Sequence, residues 1–342
     1  MKQLFNNQWF FHKEALGTPV QTFFDTDDWQ AVDIPHDWMI YDSEDLYAQG
    51  ISCYKKTFTV DDVGTDRLSL LFEGVYMNNT VYLNGEKIFY WPYGYSQFEV
   101  DLTAHIKSGK NTVYITNVYE LPNSRWYPGA GIYRNVWLFR RPAVHLTTDG
   151  IYVATQRQGN EWTLSIDTEL QNDCGTDVMM TLRHTIHAPS GDEICCRTET
   201  VTLKTGLQID RQTVTFQNPL LWDIKEPNLY CVKTELLSGD TIIDTDSNCF
   251  GFRTIRFDSR EGFFLNDAHV IINGSCEHHT LGALGAAINR EAVRRQLCTM
   301  KKMGVNAIRS AHNMPAVELL ELCDEMGLLL FTESFDMWER CK

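Results

Sequence analysis

The period of the hydrophobic pattern changes once in this chain, near Thr254, and no other feature constrains the fold as strongly. Up to Arg253, apolar residues recur at every second position in short runs separated by turn residues, which is how half-buried β-strands read. Beyond it, runs of helical period alternate with short apolar runs, the pattern of strand–helix–strand units. One chain therefore carries two kinds of architecture in succession.

The first kind has two textures. In residues 1–142, strands are read at 54–60, 68–73, 80–83, 111–118 and 135–139. The Asn84-Gly85 pair after 80–83 signals a hairpin, because both positions of a type I′ turn need positive φ. Short strands with regular turns argue for a jelly-roll-like sandwich. In residues 143–253 the strands continue with more polar faces, and Trp162-Thr163-Leu164-Ser165-Ile166 alternates cleanly. That stretch fits an immunoglobulin-like sandwich.

In residues 254–342 a short β run at 269–273 precedes a helix over 290–303. Asn289 is its N-cap, Val293, Leu297, Met300 and Met303 form one face, and Gly304 follows its end. A strand at 305–309 leads to a second helix, capped by Asn313, with Val317, Leu320 and Cys323 as its stripe. Leu328-Leu329-Leu330-Phe331 then reads as a strand buried on both faces. Strand, helix, strand, helix, strand is the start of a (β/α)8 barrel, which takes roughly 250 residues when closed. Three such strands leave an open edge, so the sequence reads as cut off inside the barrel.

Composition narrows the partners. Lys plus Arg number 30 against 45 for Asp plus Glu, a formal charge of −15 that repels nucleic acid and anionic lipid. No apolar run has the length of a signal peptide or a bilayer span, so a cytoplasmic address is expected. The 10 cysteines are scattered, with a vicinal pair at Cys195-Cys196 and no C-x-x-C, and read as small buried apolar residues rather than a disulfide framework. No cofactor and no metal is expected.

Functional side chains of such barrels project from the C-terminal ends of the strands. Glu277, His278 and His279 follow the first strand, Arg309 and His312 the second, and Glu333, Asp336 and Trp338 the third. Imidazole, guanidinium, carboxylate and indole together suit a saccharide, whose hydroxyls need polar partners and whose C–H face stacks on a ring. Blander readings stand beside this one: His278 and His279 as loop caps, Arg309 as one half of a structural ion pair. Adjacent histidines without a third ligand are weak evidence for a metal. Glu333 and Asp336 share one loop, so they are rejected as the paired carboxylates of a glycosidase.

Several motifs agree with that reading in sequence order. Pro35-His36-Asp37-Trp38, Phe72-Glu73-Gly74-Val75-Tyr76-Met77-Asn78-Asn79, Gly94-Tyr95-Ser96-Gln97-Phe98 and the run from Ser124-Arg125-Trp126-Tyr127 to Arg134 resemble the sugar-binding domain of glycoside hydrolase family two. Pro219-Leu220-Leu221-Trp222 with Pro227-Asn228-Leu229-Tyr230 is similar to that family's immunoglobulin-like domain. Asn306-Ala307-Ile308-Arg309-Ser310-Ala311-His312 resembles its barrel signature, and His278-His279 with the Leu281–Ala286 stretch resembles its β-galactosidase-like branch.

The resemblance implies a retaining β-glycosidase whose acid/base and nucleophile glutamates follow barrel strands four and seven, beyond Lys342. It implies that Arg309 supports the nucleophile and that His278, His279 and His312 hydrogen-bond the sugar. Arg125 and Trp126 would reach the pocket from the first domain, or plug a domain interface. The expected partner is a β-galactoside or related saccharide, and a homo-oligomer stays open. The rival readings are a non-catalytic carbohydrate-binding module and an assembly module.

Overall fold

A computed structural model describes residues 1–62, 64–124 and 126–335. The chain divides into two compact units. One comprises Met1–Arg140, Ser275–Leu320 and the residues from Leu330 onward; the other comprises Arg141–Gly274 and Glu321–Leu329.

The first unit contains an antiparallel sandwich. Its six-stranded sheet runs in the order Gln30–Val32, Trp9–Glu14, Gly50–Val60, Gly109–Tyr119, Asn79–Leu83, Glu86–Trp91. Its four-stranded sheet runs Lys2–Leu4, Val136–Arg141, Arg67–Phe72, Phe98–Asp101. The longest pairing is unbroken, from Val60 opposite Gly109 to Gly50 opposite Tyr119. Leu83 faces Glu86, and Asn84 and Gly85 carry φ of 53° and 88°, so the two-residue hairpin turn is present. Between the sheets lies an aromatic core that includes the buried Trp9, Tyr54, Phe72, Tyr119 and Tyr133. At roughly 25 cal/mol per Å² of apolar surface, each such ring contributes several kcal/mol.

Barrel-type elements follow. Gly274–Glu277, Ala307–Ser310 and Leu329–Phe331 form one sheet in that order, joined by the helices Arg290–Lys302 and Val317–Met326. Asn289 caps the first helix, its side chain accepting from Ala292 N at 3.0 Å.

Local expectations differ from the structure in four places. The first barrel strand is Gly274–Glu277, not 269–273, because Asn266 and Asp267 turn the chain at positive φ and pair Ala268–His269 with Gly262–Leu265. Met303 lies one residue past its helix and is 76% exposed. The second helix is Val317–Met326; Cys323 of the expected stripe is buried, together with Leu322, while Val317 and Leu320 are exposed. Leu328 and Leu329 are buried, but Phe331 is exposed.

The second unit holds a sandwich of the three strands Val144–Gln158, Glu161–Asn172 and Gly206–Gln217. They are accompanied by the four-stranded sheet Glu193–Leu203, Val178–His187, Tyr230–Ser238, Thr241–Phe250. Clean alternation in Glu161–Asn172 sends Trp162, Leu164, Ile166 and Leu170 into the core. The cysteines correct the sequence reading: of those described only Cys53 and Cys323 are buried, and Cys174, Cys196, Cys249, Cys276 and Cys298 are exposed. No helix among the described residues is long and apolar enough to cross a membrane.

Candidate active site

Three strand ends and one sandwich loop of the first unit converge. Arg309, on Ala307–Ser310, donates from Nε to Glu333 Oε1 at 2.6 Å, and its Nη2 lies 2.5 Å from the same oxygen. Its Nη1 reaches Cys276 Sγ at 3.5 Å. Glu333 is fixed in turn by its own backbone N–H, which donates to Ser310 Oγ at 3.1 Å. Burial pushes the Glu333 carboxyl up, but hydrogen bonds from His312 and Arg309, with their charge, hold it below the usual range. The structural ion pair considered for Arg309 is thus present.

His312 Nδ1 lies 2.8 Å from Glu333 Oε2 and 3.2 Å from Arg309 Nη2. A carboxylate can only accept and a guanidinium can only donate, so the shorter contact decides the tautomer. Nδ1 carries the proton and Nε2 is the acceptor. The His278 ring stands 5.5 Å from that of His312, and burial, then His312 and Arg309, lower its pKa. With Nδ1 committed to Glu333, His312 keeps Nε2 as an acceptor for a sugar hydroxyl, and the His278 ring stands beside it.

Trp126 completes the cluster. Its ring stacks on His278 at 5.3 Å and lies 5.2 Å from His312. His279 sits behind, its ring 5.5 Å from Tyr95 and 5.6 Å from Tyr133. Its Nε2 donates to Pro128 O at 2.8 Å, and burial drives its pKa down to about 4. His279 therefore holds the Trp126 loop, while His278 and His312 meet the indole. Arg125, Asp336 and Trp338, also expected in the site, lie outside the described residues.

Sequence reasoning quoted Asp37 but gave it no role. It is 1% exposed and takes four donors: Met39 N at 3.1 Å, Ala130 N at 3.0 Å, Ala286 N at 2.9 Å and Tyr127 Oη at 2.7 Å. One carboxylate thus ties the turn after Trp38, the Trp126 loop and the loop that follows His279. Gly129 has φ of 69°, and a Cβ there would meet Ala286 Cβ at 2.4 Å and Asp37 Oδ2 at 2.8 Å, so the knot requires glycine. The available signal was an acidic residue inside an otherwise apolar Pro-His-Asp-Trp run.

A second anchor holds the stretch after His312. Arg134 donates to Met314 O at 2.7 Å, and Asn135 Nδ2 bridges Glu73 at 3.0 Å and Glu318 at 2.7 Å. Burial, opposed by the Trp137 hydrogen bond, raises the Glu73 pKa. A cavity of about 40 Å³ lined by Glu277, His278, His279, Gln296 and Asn313 lies beside the cluster. It has room for water but not for a hexose. Glu277 is raised by burial, and its two oxygens accept from Ser275 Oγ at 3.1 Å and Gln296 Nε2 at 2.7 Å. No cluster of three metal-ligating side chains occurs among the described residues.

Two sandwiches followed by barrel strands whose ends gather imidazoles, an ion pair and an indole define the multidomain class of carbohydrate-active protein. Comparison with known proteins then gives the family. The family-two sugar binding domain matches residues 20–142, the Glycosyl hydrolases family 2 model matches 144–253, and the family's TIM barrel domain matches 258–338. The chain belongs to glycosyl hydrolase family 2.

It is 38% identical to the beta-galactosidase BoGH2A of Bacteroides ovatus, over 99% of this chain and 42% of that protein. It is 32% identical to a putative beta-glucuronidase of Formosa agariphila, over 98% and 33%. A family-two member from Bacteroides cellulosilyticus superposes with a TM-score of 0.92 at 29% identity, over 99% of this chain and 46% of that one. The chain thus spans less than half the length of each of these relatives.

Proposed function

We propose that this chain supplies the sugar-holding side of a retaining β-glycosidase site of the β-galactosidase kind. The observation that carries the proposal is the packing of Trp126 on His278 and His312, above the Arg309–Glu333 pair. An indole beside two imidazoles offers a stacking edge, with His312 Nε2 left as an acceptor, which suits the ring and hydroxyls of a hexose. The relatives' names supply the sugar, galactose foremost, and the charge pattern favours a neutral one. Arg309, the guanidinium described in the cluster, is occupied by Glu333, whereas a uronic acid would need an uncommitted cation.

Retention requires two carboxyls about 5–5.5 Å apart across the scissile bond. Glu333 and Glu277, the strand-end carboxylates among the described residues, have both oxygens engaged by protein partners. The proposal therefore expects binding without turnover: the polypeptide hydrolyses no nitrophenyl β-galactoside, yet takes up a thiogalactoside in a calorimetric titration and a glucuronide more weakly. Hydrolysis at enzyme-like rates would overturn the first half. A tighter titration with the glucuronide would overturn the sugar assignment. The assembly reading enters as a homo-oligomer, which light scattering on the same sample tests.

A further inference from the structure

We propose that Cys231 and Cys249 form a modification site, a dithiol on the outer face of the second sandwich that a small-molecule disulfide closes to a cross-strand bridge. The two residues are direct partners in the antiparallel pairing of Tyr230–Ser238 with Thr241–Phe250. Strand alternation sends Tyr230, Val232 and Phe250 into the core, so Cys231 and Cys249 share the opposite face, the first half-buried and the second more exposed. Directly opposed residues of antiparallel strands have Cα atoms about 4.5 or 5.5 Å apart, inside the range of about 4.4–6.8 Å seen across disulfides. By contrast Cys195 and Cys196, neighbours in sequence, oppose Ile186 and Thr185 and point to opposite faces.

The chemistry balances with the oxidant named. The Cys249 thiolate attacks one sulfur of the oxidant's S–S bond and expels one thiolate of the oxidant. The Cys231 thiolate then attacks the Cys249 sulfur of this mixed disulfide and expels the second. Two protons and two electrons leave the protein, and the oxidant is reduced to two thiols.

Burial, then contact with Cys231, then Glu321 and Asp324 raise the Cys249 thiol, so closure is slow at neutral pH and quickens in base. His187 flanks Cys231 in the same cross-strand row, and Arg253 lines with Cys249 a cavity of about 380 Å³ that also includes Trp222 and Asp324. Closure pins the wall of that cavity to the neighbouring strand. In a reducing compartment the pair stays a dithiol, and exposure to an oxidising one locks the hairpin.

The test incubates the full chain with excess oxidised glutathione at about pH 8, removes the reagent, and maps cysteines by alkylation and peptide mass spectrometry. Closure lowers the protein mass by two hydrogens, yields a peptide joining Cys231 to Cys249, and raises Tm by about 5 °C. Dithiothreitol reverses all three. Cys231→Ser and Cys249→Ser, both surface changes, keep the unoxidised Tm and show no rise. Both thiols remaining alkylatable, stable glutathione adducts on each, or a bridge to another cysteine would each overturn the proposal.

Discussion

In the first sandwich, buried polar side chains gather in knots under the loops. Asp37 joins three segments, Glu73 and Glu318 share Asn135, and His36 lies between the hydroxyls of Tyr54 at 2.7 Å and Tyr41 at 2.5 Å. In the second sandwich they link neighbouring strands and turns: His184 lies between Thr234 Oγ1 at 2.9 Å and Thr168 Oγ1 at 3.4 Å, and Asn172 donates to Thr176 O and Leu203 O at 2.9 Å. Both are two-sheet antiparallel sandwiches with apolar cores, so architecture does not set them apart. What differs is where desolvated polar groups are placed. Knots under loops hold long loops such as that of Trp126 in one geometry, whereas buried groups between strands fix strand register.

The largest expected effect breaks the Asp37 knot. Asp37→Ala leaves three backbone N–H groups and the Tyr127 hydroxyl without their acceptor, and should cost about 3–5 kcal/mol in a denaturant titration of the full chain. A loss below about 1 kcal/mol would show that the loops are held by packing instead.

Acid sharpens the contrast. His36 and His279 in the first unit and His184 in the second are each lowered to about 4 by burial, from an ordinary value of 6.5. Because the folded values are depressed, the unfolded chain binds protons first as pH drops below 6.5. Stability is intact above that pH, falls through the window down to 4, and levels off beneath it. Each of these three contributes about 1.4 kcal/mol per pH unit there, and His278 in the first unit and His145 in the second, also lowered by burial, act in the same direction. The raised Glu73 and Glu277 oppose this in the acid part of the window, since protonation suits them when folded. Tryptophan fluorescence against hydrogen exchange, read unit by unit over that range, checks the loss; unchanged stability from pH 6.5 to 4 would contradict it.

If Trp126 meets the sugar as proposed, Trp126→Ala should weaken thiogalactoside binding about tenfold with little change in Tm, because its ring is only half-buried. Equal binding in the variant would reduce the indole to packing. The smallest effect is expected in the second sandwich, where Arg211 pairs with Asp167 on an exposed face. Arg211→Ala should leave Tm and sugar binding unchanged, as exposed ion pairs usually do.

How legible each region was follows from the same difference. The second sandwich could be read directly, since Trp162 to Ile166 alternates and the alternation decides what is buried. The Asn84-Gly85 turn was legible because its backbone demands those residues. In the barrel segment the strand ends carrying Arg309, His312 and Glu333 could be placed from period, whereas the strand before His278 reads at 269–273 instead of Gly274–Glu277. The helix stripe was legible only in part: Cys323 is buried as expected, but Leu322 is buried beside it while Val317 and Leu320 are exposed. Asp37 and the Tyr127–Ala130 backbone that it holds were illegible, since a contact across 93 residues leaves no local period. The exposed cysteines were misread because outward positions of a strand follow register rather than residue type.

The most direct measurement is a nitrogen-resolved NMR spectrum of the histidine rings during titration with a thiogalactoside. The signals of His278 and His312 should move together and saturate, on the order of millimolar sugar. His184, buried in the other unit, should stay still and serve as the internal reference. Shifts spread equally over all three rings, or none at His278 and His312 at saturating sugar, would contradict a saccharide site at these strand ends.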